Sequence, residues 1–201
     1  MNVTQYDKVS IRLMSDGHAF SAIPAQNGEA LSQVADVLKR GVVAEVILCT
    51  PKTLLVPAEQ LEALSLEEHL ALSGLAPAQD ERVVVSDVVT DIVAVMAAPS
   101  RHIEELELCG AELHYSSPLL MGDMSEACVV ALYGNLLYVR VADEGLLFAD
   151  VVEVADDADI LYFLGAIDKA YHIYNIAARL IGDISRLKTL CKPLFRKMLC
   201  E

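Results

Sequence analysis

Cysteine and histidine are the residue types of this chain best suited to bind a metal or attack a substrate, yet they are scattered. Cys49, Cys109, Cys128, Cys191 and Cys200 form no CxxC pair, and without a secretory context they read as reduced thiols, most of them among apolar neighbours. A zinc site would have to be assembled from Cys109, His102 and His114, whereas the plainer reading makes them packing or surface residues. His18, His69 and His172 are equally isolated, at a turn, on an acidic helix and near a helix end. The run Asp156-Asp157-Ala158-Asp159 offers carboxylates to calcium but lacks the loop spacing; it fits a helix N-terminus, where the dipole favours negative charge. The sequence contains no P-loop, GxSxG or HExxH motif, and no GxGxxG after a strand. No catalytic residue and no metal ligand is assigned.

Composition narrows the classes further. With 201 residues and 54% hydrophobic side chains, the chain can bury a sizeable core in one large domain or two small ones. A net charge of −14 makes phosphate backbones poor partners, so nucleic-acid binding is not expected. There is no apolar run long enough for a membrane span, and "MNVTQYDKVS" lacks the order of a signal peptide, so the expected location is cytoplasmic. Arg179, Arg186, Lys188, Lys192, Arg196 and Lys197 make the tail basic on an acidic body.

The elements alternate. Val9, Ile11 and Leu13 have strand period, Asp16-Gly17 suits a type I′ hairpin turn, and "HAFSAIP" returns as far as Pro24. Residues 28–41 have the spacing of an amphipathic helix; "AEVILCT" and "KTLLVP" read as strands, and "AEQLEALS" and "LEEHLALSGL" as short acidic helices. "ERVVVSDV" and "TDIVAVMAA" are strands, Pro99 opens a helix, and "AELHYSS" is one more strand. The pattern then restarts. "EACVVALYG", "NLLYVRVA" and "GLLFADVVEV" form a meander, followed by a helix from about Asp156 to His172 and the strand "YNIAARLIG". The stretch "DISRLKTLCKPLFRKMLCE" sets Leu187, Leu190, Cys191, Leu194, Phe195, Met198 and Leu199 on one helical face, which reads first as a helix packed on the second sheet and otherwise as a basic docking element; Pro193 should kink or delay it. The expected boundary gives two α/β subdomains, residues 1–122 and 123–201.

The motifs "VSIRLMSDGHAFSAI", "TLLVPAEQL", "VAVMAAPSRHIEEL", "ELHYSSPLL" and "LLFADVVEVADDADILYFL", in that order, resemble an uncharacterised bacterial family with an actin-like ATPase fold of the RNase H-like class. The resemblance implies a duplicated, shortened form of that fold, two subdomains with mixed sheets flanked by helices. "IRLMSDGHAF" and "VRVADEGLLF" look like copies of one hairpin, but the match sets them one strand out of register, so their likeness is common hairpin chemistry.

Active members of the fold wrap phosphates with two hairpin turns, organise a metal with a carboxylate near each, and cradle adenosine on a glycine-rich turn. The resemblance maps these loci to Asp16, Gly17 and Ser21, to Gly134, and to Gly182, the candidate nucleotide-binding residues. Each departs from the pattern. Leu13 or Met14 and then Leu132 and Tyr133 stand where carboxylates would be, and "LIGDIS" has one glycine where two or three are usual. The expected function is therefore a degenerate, non-catalytic module that binds a protein partner of unknown identity. The alternative is an ATP-binding protein or weak ATPase, with ATP and magnesium in the cleft between subdomains.

Overall fold

The computed structural model describes residues 9–14 and 42–200, and the chain divides into two compact units, Met1–Ser117 and Pro118–Glu201. The expected turn at Asp16-Gly17, its return strand, Ser21, His18 and the helix 28–41 lie outside the described residues.

In the first unit, β2 (Val43–Cys49) lies between β1 (Val9–Met14) and β6 (Glu112–Ser116), parallel to both. Ala44 and Val46 through Cys49 are buried, the near-continuous apolar run required of a parallel strand covered on both faces. Between β2 and β6 the chain builds an antiparallel sheet, β3 (Thr53–Pro57), β5 (Ile92–Pro99) and β4 (Glu81–Val85), with β5 in the centre and Val93 through Ala98 buried. Thr50 Oγ1 donates to Ala97 O at 2.7 Å and Ala97 N donates to Lys52 O at 3.0 Å, which ties the exit from β2 to β5.

The first expected acidic helix is a 3-10 segment, Ala58–Ala63; the second is α1 (Leu66–Leu72). A capping box fixes the start of α1: Glu68 N donates to Ser65 Oγ at 3.2 Å, and Ser65 N donates to Glu68 Oε2 at 2.8 Å. Leu70 then packs with Val56, Val93 and Val95. Beyond Pro99 runs α2 (Ser100–Leu108), which buries His102, Ile103 and Leu106.

The second unit holds one five-stranded sheet in the order β11-β10-β7-β8-β9. The expected meander is present as β7 (Cys128–Tyr133), β8 (Leu136–Ala142) and β9 (Leu146–Glu153), antiparallel in sequence. Next comes α3 (Asp157–Tyr171), whose N-cap Asp156 accepts from Ala158 N and Asp159 N. It ends at His172, left-handed at φ 54°. β10 (Ala177–Gly182) runs parallel to β7, and α4 (Ile184–Cys191) follows. Residues of both helices and of β7, β8 and β10, among them Val130, Val139, Ile160, Leu164, Leu180 and Leu187, form the core.

The tail departs from expectation. Its helix stops at Cys191, and Lys197–Cys200 form β11, parallel to β10. Lys192 still has helical φ −51° and ψ −41° and donates to Lys188 O, but Pro193 has no N–H with which to continue the helix. Leu194 N and Phe195 N both donate to Cys191 O instead, Phe195 enters the core, and the remaining residues reach the open edge of β10. The basic tail is thus a helix and an edge strand of the sheet, and no continuous docking helix exists there.

Among the described residues no helix is long and apolar enough to cross a membrane. Cys49, Cys128 and Cys191 are buried, and desolvation pushes each thiol pKa up to about 12. In mildly alkaline buffer an alkylating reagent is therefore expected to modify exposed Cys200 and half-buried Cys109 of the native protein and to spare the other three. Mass spectrometry of the peptides checks this, and labelling of Cys128 without unfolding would contradict its place in the core.

Candidate functional site

β7 and β10 are parallel neighbours, and their carboxyl ends carry Gly134 and Gly182, two of the glycines singled out by sequence. In open α/β sheets ligands bind beyond such ends. Gly134 and Asn135 make the two-residue turn between β7 and β8; Gly134 has φ +59°, which glycine adopts without penalty. The carbonyl of Asn135 is already engaged, accepting from Val154 N at 2.8 Å.

Gly182 has a structural reason of its own. Its φ is +85°, and a Cβ built there would lie 2.1 Å from Leu132 O and 3.2 Å from Tyr133 Cε1. Leu132 O also accepts from Asp183 N at 2.9 Å. Asp183, the carboxylate of this turn, caps α4 by accepting from Arg186 N at 3.1 Å. At the position where the resemblance would put a metal-organising carboxylate, Leu132 and Tyr133 are 1% and 7% exposed, and Leu136 across the turn is 2% exposed. The Tyr133 ring contacts Tyr138 edge-on, and its hydroxyl points at Met121 Sδ, 3.6 Å away. The ends of β7 and β10 are thus filled by apolar and aromatic side chains, and Asn135 O, Asp183 N and the Asp183 carboxylate are engaged within the chain. Asp16, Gly17 and Ser21 lie outside the described residues.

The three residues weighed for zinc are not assembled, and among the described residues no group of three or more His, Cys, Asp or Glu could hold a metal ion. His114 Nδ1 lies 2.8 Å from Asp87 Oδ2 and its Nε2 3.3 Å from Glu112 Oε1; these hydrogen bonds and charges raise its pKa. His102 is buried on α2, and its pKa is lowered by desolvation and by the Arg101 charge. The thiol of Cys109 donates to Glu105 O, one helical turn back.

Sequence reasoning missed Arg140. It sits in the middle of "LLYVRVA" on β8, fully buried, on the sheet face opposite Val139 and Val141. Its guanidinium donates to Leu119 O at 2.7 Å, Met121 O at 3.3 Å and Asp123 O at 2.6 Å, with Met124 Sδ at 2.8 Å. Burial lowers its pKa, opposed by the Glu126 and Asp123 carboxylates. Arg179 of β10 binds Glu126 through Nε at 2.7 and 2.6 Å. Two arginines therefore pin the entry segment, residues 118–126, onto the second unit's sheet. The signal was a lone cation in an otherwise apolar strand, since a buried guanidinium must find acceptors.

No protein-family model matches the chain, and no curated protein is significantly similar to it. Solved structures are similar in fold. One is a Bacteroides thetaiotaomicron VPI-5482 protein with an actin-like ATPase fold and unknown function: TM-score 0.72, 15% identity, covering 98% of this chain and 91% of that one. Another is the cytoplasmic domain of EpsL, an inner-membrane component of the type II secretion system of Vibrio cholerae: TM-score 0.54, 14% identity, covering 96% and 85%. At these identities the likeness speaks for architecture, and together with the sheet order above it leads to one conclusion: this mixed α/β chain has the actin-like ATPase fold.

Proposed function

We propose that this protein is a non-catalytic, protein-binding or scaffold module, a pseudo-ATPase that retains the actin-like fold as a shape. The observation that carries the reading is the commitment of the β7 and β10 ends to packing. Gly182 is fitted against Leu132 O, Asp183 caps a helix, and Leu132 and Tyr133 stand where a carboxylate would organise metal and water. A phosphate site of this fold needs free N–H donors and a metal-organising carboxylate at these turns.

We read the two units as the two actin-like subdomains in duplicated, shortened form. The parallel orders β1-β2-β6 and β7-β10-β11 repeat each other, which supports this. The Vibrio neighbour, a secretion-system component, is a use of the fold within an assembly. The cytoplasmic location and bacterial origin expected from the sequence go with this reading.

Calorimetry with ATP and ADP at millimolar concentration, with magnesium and an Asp16→Ala control, tests it. No detectable heat is expected. Saturable binding weakened by Asp16→Ala would replace this reading with the ATP-binding one, in which Asp16, Gly17, Ser21, Gly134 and Gly182 line the site.

A further inference from the structure

We infer that the open edge of β9, with the apolar groove between β9 and α3, is a docking site for an extended, basic segment of a partner protein, which adds a strand to the second unit's sheet. The inference rests on the protein-binding reading and gives it a surface and a partner chemistry.

Among the described residues β9 is the last strand on its side of the sheet, and the N–H and C=O groups of its outer side pair with no strand; Val151 N donates to Asp150 Oδ1 at 2.8 Å. It is eight residues long, and Leu146 and Leu147 at its start are 38% and 50% exposed. Phe148, Asp150 and Val152 stand opposite Val141, Val139 and Leu137, on the face covered by α3. Beyond that edge the helix offers Phe163, Ala166, Ile167 and Ala170, spaced to share one side of α3. Sheet and helix thereby leave a half-open cavity of about 270 Å³ with an almost wholly apolar lining. An added strand would send alternate side chains into this groove, and the small residues Ala166 and Ala170 leave room for them.

Charge selects the occupant. Asp143, Glu144, Asp150, Glu153, Asp156, Asp157, Asp159 and Asp168 lie in or beside β9 and α3, and no Lys or Arg occurs from Val141 to Asp168. Arg186 neutralises Asp157 at 2.6 Å, while Asp143, Glu144, Asp150 and Glu153 are exposed. A second copy pairing β9 with β9 would bring these carboxylates together, which is unfavourable. A strand with apolar residues towards the groove and Lys or Arg on its other face sets those cations beside Glu153, with Asp143 and Glu144 at the preceding turn.

The test uses the full chain and a fluorescent peptide of alternating valine and lysine, the length of β9. Binding is expected. It should weaken about tenfold or more when alternate peptide amides are N-methylated, which keeps the charge but breaks the ladder, and also in Ala166→Phe, which fills the groove from an exposed helix position. Lysine replaced by glutamate in the peptide should abolish binding. Equal binding of the N-methylated peptide, or no effect of Ala166→Phe in a variant with an unchanged melting curve, would overturn the site. Concentration-dependent self-association abolished by Ala166→Phe would overturn the choice of occupant in favour of a second copy. Absence of peptide binding with calorimetry still silent for ATP removes this surface alone. ATP binding with the peptide site intact removes the non-nucleotide reading alone.

Discussion

Replacing Arg140 with alanine is expected to destabilise the second unit by about 3–5 kcal/mol, the range for breaking a buried, hydrogen-bonded charge. The side chain is fully buried, and its guanidinium donates to the carbonyls of Leu119, Met121 and Asp123. Truncation leaves those acceptors without their donor and a void the size of the side chain. Arg140→Lys should recover only part of the loss, because one ammonium on a shorter stem cannot reach carbonyls spread along the segment. Amide hydrogen exchange across β7 and β8 reads the effect directly. A cost under about 1 kcal/mol would mean that the segment is held by its apolar residues, Leu119 and Leu120, rather than by the arginine.

Gly182→Ala should cost about 2–4 kcal/mol, through left-handed backbone strain and a clash with Leu132 O that backbone atoms must move to relieve. Gly134→Ala, in an exposed turn with φ +59°, should cost about 1 kcal/mol. Denaturant titration of both variants separates the positions. A Gly182→Ala protein as stable as its parent would remove the packing explanation for this glycine and return it to the list of ligand-binding candidates.

How much of this was legible in the sequence depends on whether the signal was local. Strand alternation, the Gly134-Asn135 turn and the Asp156 cap act within a few residues, and the meander and α3 follow from them. The final strand was not legible. Leu194, Phe195, Met198 and Leu199 fit helical spacing as well as they fit a short strand, and only the open edge of β10, distant in sequence, decides between them. The same limit applied to Arg140, whose acceptors lie 17 to 21 residues away on a segment without regular alternation. At the candidate site, the missing carboxylates and the single glycine were readable from the motif. The reason Gly182 persists was not, because it is a contact with a neighbouring strand's carbonyl.

The carboxyl ends of β7 and β10 are structural in this reading of the molecule. The most direct measurement is a titration of the isotope-labelled protein with ATP and magnesium to millimolar concentration, following the amide resonances of Gly134, Asn135, Gly182 and Asp183. These four amides are expected not to move. A concerted, saturable shift of Gly134 and Gly182 would contradict it and mark the two turns as a working nucleotide site.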